Sequence, residues 1–172
     1  KPESAMVITD PYTGEVKGIV GGRGKKSGSM VLNRATQSPR QPGSSIKPLS
    51  VYGPGIDTGK VTQYTVIKDE PININGWTPK NYDGTFEGSM TVMRALQKSQ
   101  NIPAINILQM VGVDRSYEYL TQKMHFTTLD ENDRNLAALA LGGMTRGVTV
   151  YEMAAAYSVF PNKGVYNKPK TY

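Results

Sequence analysis

Pro48 constrains the fold of this chain more than any other residue, because it follows closely on Ser44 and Lys47. A proline has no N–H, and its ring clashes with the carbonyl four residues back, here that of Ser44. A helix that includes Pro48 must therefore begin very near Ser44. In such a helix Ser44 and Lys47 occupy positions i and i+3 and lie on one face, with Cβ atoms about 5–6 Å apart.

Ser44 and Lys47 are a candidate nucleophile and base. A serine hydroxyl is a weak nucleophile until a neighbouring base takes its proton. A lysine can be that base only when it is partly neutral, and both burial and the partial positive charge of a helix N-terminus lower a lysine pKa. The spacing alone also fits a helix cap followed by a solvated lysine.

The composition fits one basic domain. The 172 residues carry 20 Lys and Arg against 14 Asp and Glu, a formal net charge of +6, and contain no cysteine. The length is enough for a real core. The charge favours an anionic partner, such as nucleic acid, anionic lipid or a wall polymer. Without cysteine there are no disulfides or thiolate metal sites, and no apolar run approaches the roughly 18–20 residues of a membrane span.

The hydrophobic pattern changes from strands to helices along the chain. Two short strands, over 5–9 and 16–20, are separated by a turn that contains Pro11 and Gly14. Residues 53–88 are rich in Gly, Pro, Asn and Asp and predict an irregular connection. From 89 onward the apolar residues recur at helical spacing. This order predicts an α+β fold, with a hairpin and nucleophile segment over 1–52, the connection over 53–88 and a mostly helical lobe over 89–172.

Four helices are predicted in the lobe. The first should end near Ser99, the second at Gly112, and Asp114 is the expected N-cap of the third. Thr149 and Glu152 form a capping box at the start of a fourth helix, which should reach residue 160. The apolar stripes of the first three are Val92, Ala95 and Leu96; Ile102, Ile105, Leu108 and Val111; and Tyr117, Leu120 and Met124.

A second candidate motif, Ser99-Gln100-Asn101, lies between the first two of these helices. A tight loop there would point the Ser99 hydroxyl and the Asn101 amide the same way. The hydroxyl could relay a proton, and the amide could hold a peptide carbonyl or N–H. Ordinary loop chemistry also explains a serine and an asparagine at these positions.

Two further segments are candidates for binding. Trp77, the only tryptophan, is either a core anchor or part of a cleft wall, and in a cleft Trp77 and Asn81 would contact substrate. The loop over 21–30 is basic and glycine-rich, but Lys26 follows Gly24 and Lys25 where a phosphate-binding loop needs Ser or Thr. The loop also lacks the aromatic residues on which nucleic-acid bases stack, so no nucleic-acid partner is expected.

The two motifs, with the residues around them, resemble the transpeptidase domain of a class A, bifunctional penicillin-binding protein. The most specific part is R-Q-P-G-S-S-I-K-P over 40–48, and S-x-x-K followed by an S-x-N motif belongs to that family's signature set. The resemblance extends to the hairpin turn over 10–15 and to residues 33–35, 139–143 and 155–164. It implies the serine β-lactamase and penicillin-binding-protein fold, in which the N-terminal hairpin belongs to a central sheet that this chain leaves incomplete.

The resemblance also implies an activity, peptidoglycan DD-transpeptidation. Ser44 would form an acyl-enzyme with the D-Ala-D-Ala end of a stem peptide, and β-lactams would acylate the same serine. Lys47 would be the base, Ser99 would pass the proton to the leaving amine, and Asn101 would bind the substrate backbone. No cofactor and no metal are expected. The protein would act at the extracytoplasmic face of the bacterial membrane, with an anchor and a glycosyltransferase domain outside this chain.

The sequence departs from the family pattern in two places. Gln100 stands where other members of the wider superfamily carry aspartate. The K-T-G motif is also missing, since Lys170 and Thr171 are followed by Tyr172. We therefore expect the chain to be the N-terminal part of a domain, with a downstream segment, possibly a separate chain, carrying K-T-G.

Four alternatives remain open at this point. A β-lactamase or DD-carboxypeptidase would use the same Ser-Lys chemistry, and a non-catalytic receptor domain would be acylated by β-lactams. A Ser-His-Asp hydrolase would need His125, the only histidine. A basic nucleic-acid-binding module rests only on the net charge and the basic loop over 21–30. Acylation by a labelled penicillin distinguishes the β-lactamase, carboxypeptidase and receptor alternatives from a nucleic-acid-binding module.

Overall fold

A computed structural model describes residues 2–26 and 28–171. Ser27, in the basic loop over 21–30, and Tyr172, which follows Lys170 and Thr171, lie outside this part. The described residues divide into two units: those within 1–41, 121–129 and 146–172 form the first, and those within 42–120 and 130–145 form the second.

Strands and helices alternate irregularly along the described chain. In order they are β1 Met6–Thr9, β2 Val16–Val20, α1 Arg34–Gln37, a 3₁₀ segment Gly43–Ile46, a π-helical segment Pro48–Tyr52, α2 Gly53–Asp57, β3 Val66–Asp69, β4 Gly88–Thr91, α3 Val92–Gln97, α4 Asn101–Val111, α5 Val113–Glu118, a π-helical segment Tyr119–Lys123, a 3₁₀ segment Glu131–Asp133, α6 Leu136–Leu141 and α7 Val150–Tyr157.

The first unit contains the predicted hairpin. β1 and β2 pair antiparallel, with Met6 opposite Val20 and Ile8 opposite Gly18. The turn between them is closed by the Asp10 carboxylate, which accepts the N–H groups of Tyr12 and Thr13 at 2.8 and 3.0 Å. This confirms the hairpin, although the first strand begins one residue later than predicted.

The predicted capping box at the start of α7 is also present. Thr149 Oγ1 accepts the Glu152 N–H at 3.1 Å, and the Glu152 carboxylate accepts the Thr149 N–H at 2.9 Å. The same carboxylate accepts from Thr127 and Thr128, so it also holds the 127–128 loop. α7 ends at Tyr157 rather than at 160, and turns follow it.

The second unit is built around one continuous helical run, Gly43 to Asp57, which we call the Ser44 helix. It begins at Gly43, as Pro48 requires, and its first turn is 3₁₀, with the Lys47 N–H donating to the Ser44 carbonyl. Pro48 cannot donate to that carbonyl, so the tighter bond satisfies it. From Pro48 the run widens into a π-helical segment, in which the Gly53 N–H donates to the Pro48 carbonyl.

Buried side chains hold the Ser44 helix against its neighbours. Ser50 Oγ donates to the Leu139 carbonyl of α6 at 2.6 Å, and Ser116 Oγ of α5 donates to the Ser50 carbonyl at 2.6 Å. α4 packs against the same run, and its predicted stripe of Ile102, Ile105, Leu108 and Val111 is buried. Gly112, with φ of +94°, ends α4 as predicted.

Three sequence predictions need correction here. The connection over 53–88 is not irregular throughout, because α2 and β3 lie within it and β4 begins at its end. β3 and β4 pair antiparallel, with Asp69 opposite Gly88. Asp114 lies in the first turn of α5 and is not its N-cap, because Gly112 occupies that position. Leu96 is 41% exposed and does not share the buried stripe of α3.

None of the helices formed by the described residues has the length and apolar character that a membrane crossing requires.

Candidate active site

The first turn of the Ser44 helix is fixed by close backbone contact with the end of α6. The Gly43 N–H donates to the Gly142 carbonyl at 3.4 Å. Gly142 ends α6 in the left-handed region, with φ of +75°, and a Cβ there would lie 2.2 Å from the Gly43 carbonyl oxygen. Only glycine fits at this contact, so α6 determines where Ser44 lies.

Ser44 and Lys47 lie on one face of the Ser44 helix, as predicted, although the turn that carries them is 3₁₀ rather than α-helical. In a 3₁₀ turn with three residues per turn, side chains at i and i+3 eclipse each other. Ser44 is exposed at the surface, whereas Lys47 is only 1% exposed. The Ser44 hydroxyl makes no hydrogen bond within the described residues, and catalytic hydrogen bonds are often long in the absence of substrate.

The neighbouring Ser45 is held differently. Its hydroxyl donates to the Pro42 carbonyl at 2.6 Å, on the N-terminal side of the helix. The residue three positions after Ser45 is Pro48, which offers no base. Of the two adjacent serines, Ser44 alone has a lysine one 3₁₀ turn ahead.

Lys47 is surrounded by neutral oxygens from the Ser99–Asn101 turn. Its Nζ lies 2.7 Å from the Ser99 carbonyl, 2.8 Å from Asn101 Oδ1, 3.2 Å from the Gln100 carbonyl and 3.4 Å from Ser99 Oγ. An ammonium has three N–H donors, so the protonated form is fully satisfied. The structure therefore brings together Lys47, Ser99 and Asn101, which the sequence placed in two separate motifs.

Burial lowers the pKa of the Lys47 ammonium from 10.5 to about 8. The oxygens around Nζ are carbonyl, hydroxyl and amide groups, so they stabilise the charged form by hydrogen bonding without a counter-charge. At pH 7 about a tenth of such lysines are neutral, given a pKa of about 8. Lys47 thus has a usable population of free base near neutral pH.

The Ser99–Asn101 turn owes its shape to the way α3 ends. The Gln100 N–H donates to the Ala95 carbonyl and the Ser99 N–H to the Leu96 carbonyl, both at 3.0 Å. This pair of bonds is a Schellman motif, which usually has glycine at the position that Ser99 occupies. Ser99 has φ of +54°, an uncommon value for a residue with a Cβ. A strained serine at this position points to a need for its hydroxyl.

Both polar atoms of the Asn101 side chain form hydrogen bonds within the protein. Its Oδ1 accepts from Lys47 Nζ, and its Nδ2 donates to the Lys80 carbonyl at 2.9 Å. Asn81, which follows Lys80 in the sequence, is only 3% exposed, and its Oδ1 accepts the backbone N–H groups of Asn101 and Ile102.

The two residues predicted to contact substrate lie in different surroundings. Both donors and both acceptor lone pairs of the Asn81 amide are bonded inside the protein, so none is left for a substrate. Trp77 is half-buried and pairs through its backbone with Ile74. Its predicted role in a cleft wall stays a prediction.

Sequence reasoning missed the buried carboxylate behind Asn81. Asp69, at the end of β3, is 0% exposed and accepts from Asn81 Nδ2 at 2.6 Å. A single aspartate in a glycine- and proline-rich stretch carries no signal of this contact. His125, the residue a Ser-His-Asp hydrolase would need, lies in the first unit and contacts the Tyr166 ring. The described residues contain no cluster of three or more His, Cys, Asp or Glu that could hold a metal.

The fold and the site define an α+β domain with a Ser-x-x-Lys helix start set against a Ser-x-Asn turn. The family model described as the penicillin-binding protein transpeptidase domain matches residues 4–172. The chain therefore belongs to the penicillin-binding-protein transpeptidase domain family.

Individual relatives agree with this assignment. Penicillin-binding protein 1A of Clostridium acetobutylicum is 41% identical over 184 residues, which cover 100% of this chain and 22% of that protein. Penicillin-binding protein 1F of Bacillus subtilis is 39% identical over 167 residues, 97% of this chain and 22% of that protein. The crystal structure of penicillin-binding protein 1A from Haemophilus influenzae superimposes with a TM-score of 0.83 at 34% identity, over 98% of this chain and 25% of that one. The chain thus spans about a quarter or less of these relatives.

Proposed function

We propose that this chain supplies the nucleophile half of a peptidoglycan DD-transpeptidase site. The observation that carries the proposal is the buried Lys47, whose lowered pKa leaves part of it neutral, one 3₁₀ turn from the exposed Ser44. A lysine that served only as a surface charge would have no reason to be enclosed by the Ser99–Asn101 turn. The family membership of the chain supports the same activity.

In the proposed reaction Ser44 Oγ attacks the carbonyl carbon of the penultimate D-alanine of a stem peptide. Neutral Lys47 takes the hydroxyl proton, and the Ser44 N–H donates to the oxyanion. Removing one such donor typically costs about 10²–10³ in rate. Ser99 Oγ, 3.4 Å from Lys47 Nζ, relays the proton to the nitrogen of the terminal D-alanine, which leaves as the free amino acid.

The resulting acyl-enzyme is an ester between Ser44 and the shortened stem peptide. An amine of a second stem peptide attacks this ester, Ser44 Oγ leaves, and the Lys47–Ser99 pair carries the proton back to it. Asn101, at the mouth of the turn, hydrogen-bonds the peptide backbone of the donor. A β-lactam enters the same first step, because its ring amide takes the place of the D-alanyl-D-alanine bond.

We propose that the site is completed by polypeptide that carries K-T-G. β1 and β2 form a two-stranded hairpin, which is marginal alone in water. Met6, Ile8 and Val20, on one face of it, are exposed. Further strands would cover this face and pair with its edge. In the whole protein, a membrane anchor and a peptidoglycan glycosyltransferase domain would hold the site on the extracytoplasmic side.

Acylation by a fluorescent penicillin tests the proposal. The complete domain should form a covalent, denaturation-resistant adduct that persists for many minutes, because a transpeptidase releases the penicilloyl group slowly. Release within seconds would indicate a β-lactamase, and an adduct without cross-linking of stem peptides would indicate a receptor domain. Absence of any adduct would overturn the proposed function. Mixing residues 1–172 with the downstream segment should restore labelling that residues 1–172 lack alone.

A further inference from the structure

The start of α4 carries no cap from its own residues. Gln100, the N-cap residue, makes no side-chain capping bond. The first four N–H groups of a helix have no partner within the helix and must be satisfied elsewhere. Here the Gln100 N–H donates to the Ala95 carbonyl, and Pro103 has no N–H. The two remaining donors, those of Asn101 and Ile102, both reach Asn81 Oδ1, at 2.9 and 3.1 Å.

Asn81 itself is held from behind. Its Nδ2 donates to Asp69 Oδ1 at 2.6 Å and to the Thr85 carbonyl at 2.8 Å. The other oxygen of Asp69 accepts the Glu87 N–H at 2.9 Å. An asparagine amide offers two donors and two acceptor lone pairs, and Asn81 uses all four. Its orientation is therefore fixed, and an inverted amide would set donor against donor at α4.

Asn81 and Asp69 act on the Ser99–Asn101 turn through Asn101. Lys80 and Asn81, adjacent in sequence, hold Asn101 at two points, its side-chain Nδ2 and its backbone N–H. The remaining polar atom of that side chain, Oδ1, lies 2.8 Å from Lys47 Nζ. A shift of α4 along its axis would move Oδ1 away from Lys47.

We propose that Asn81 and Asp69 are positioning residues for the Ser-Lys site: Asp69 orients Asn81, and Asn81 fixes the start of α4 so that Asn101 holds Lys47. The proposal rests on the proposed function, since it assigns the support of that same base. Neither residue touches the reacting atoms. Misplacement of a catalytic group by about 1 Å can cost about 10²-fold in rate.

The chain offers a matched control. Asn106, also on α4, donates its Nδ2 to the Lys68 carbonyl of β3 at 3.0 Å. Asn106→Ala therefore removes one asparagine bond between α4 and the 68–81 region without touching the turn. Asn81→Ala removes the bonds at the start of α4, and Asp69→Asn gives a milder change, with no cavity, for the case in which Asn81→Ala does not fold.

The experiment measures acylation by a fluorescent penicillin across pH in the complete domain, per molecule of folded protein. We expect Asn81→Ala to slow acylation about 10- to 100-fold and Asp69→Asn to slow it by a smaller factor, while Asn106→Ala stays within about twofold of wild type. The pH midpoint of Asn81→Ala should also fall, because Lys47 loses an acceptor that favours its charged form. A purely structural role would lower the melting temperature and leave the midpoint unchanged.

Three results overturn the inference. The first is that folded Asn81→Ala and Asp69→Asn both acylate at the wild-type rate and midpoint, and the second is that Asn106→Ala slows as much as Asn81→Ala. The third is that Asn81→Ala has a lower melting temperature and an unchanged midpoint. Failure of wild type itself to acylate would instead overturn the proposed function, so the two failures are distinguishable.

Discussion

Replacing Lys47 by arginine separates a base from an anchoring charge. Both side chains are long cations that can donate to the Ser99–Asn101 turn. A guanidinium has a pKa above about 12 and stays protonated at any working pH. Lys47, with its pKa lowered to about 8, is half neutral near pH 8.

The magnitude follows from the two populations of neutral side chain. At pH 8 the neutral fraction of an arginine is below about 10⁻⁴, against about one half for Lys47, so Lys47→Arg should acylate at least about 1,000-fold more slowly. In wild type the rate should rise about tenfold from pH 7 to pH 9 and level off above the lysine pKa, because the neutral amine is the active form.

The assay is the initial rate of labelling by a fluorescent penicillin in the complete domain, with circular dichroism to confirm that Lys47→Arg is folded. Lys47→Met is the second variant, because it is apolar, similar in length and equally unable to accept a proton. Acylation by folded Lys47→Arg at a tenth of the wild-type rate or faster would refute the base assignment and leave Lys47 as an electrostatic anchor.

Two further substitutions test the backbone geometry of the site. Ser99→Gly should leave the melting temperature unchanged or higher, because glycine tolerates φ of +54° without strain, yet slow acylation about 10-fold or more through loss of the hydroxyl; acylation at the wild-type rate would remove Ser99 from the proton relay. Gly142→Ala should destabilise the domain by about 2 kcal/mol or more and reduce labelling, because its Cβ would lie 2.2 Å from the Gly43 carbonyl oxygen. Gly143→Ala is its control, since a Cβ there meets nothing within 4 Å, and equal melting temperatures for the two variants would contradict the contact.

Local stereochemistry made part of this fold predictable. Pro48 determines where the Ser44 helix begins, Gly112 ends α4, and Thr149 with Glu152 starts α7, each through a rule that needs only neighbouring residues. The S-x-x-K and S-x-N motifs are likewise patterns of residues close together in the sequence. Their meeting at Lys47 Nζ depends on contacts across 52–54 residues, which the two spacings alone do not predict.

The missed elements depend on distant partners. β3 places Asp69 at an inward position where a strand pattern expects an apolar residue, and β4 contains Gly88 and Ser89, which are poor strand formers. The π-helical segment, in which the Ser50 hydroxyl bonds to the Leu139 carbonyl 89 residues away, has no counterpart in the sequence prediction. Asn81 is predicted to contact substrate only as part of a cleft with Trp77, and its bonds to Asp69 and to the start of α4 are what show that it is buried.

The identity of the acylated serine tests the central claim most directly. The complete domain and its Ser44→Ala and Ser45→Ala variants would be treated with penicillin, and the modified peptide would be located by mass spectrometry. The account predicts a single adduct on Ser44, no adduct in Ser44→Ala, and labelling largely retained in Ser45→Ala, because only Ser44 has a lysine at i+3. An adduct on Ser45, or labelling of Ser44→Ala equal to wild type, would contradict the Ser-Lys site described here.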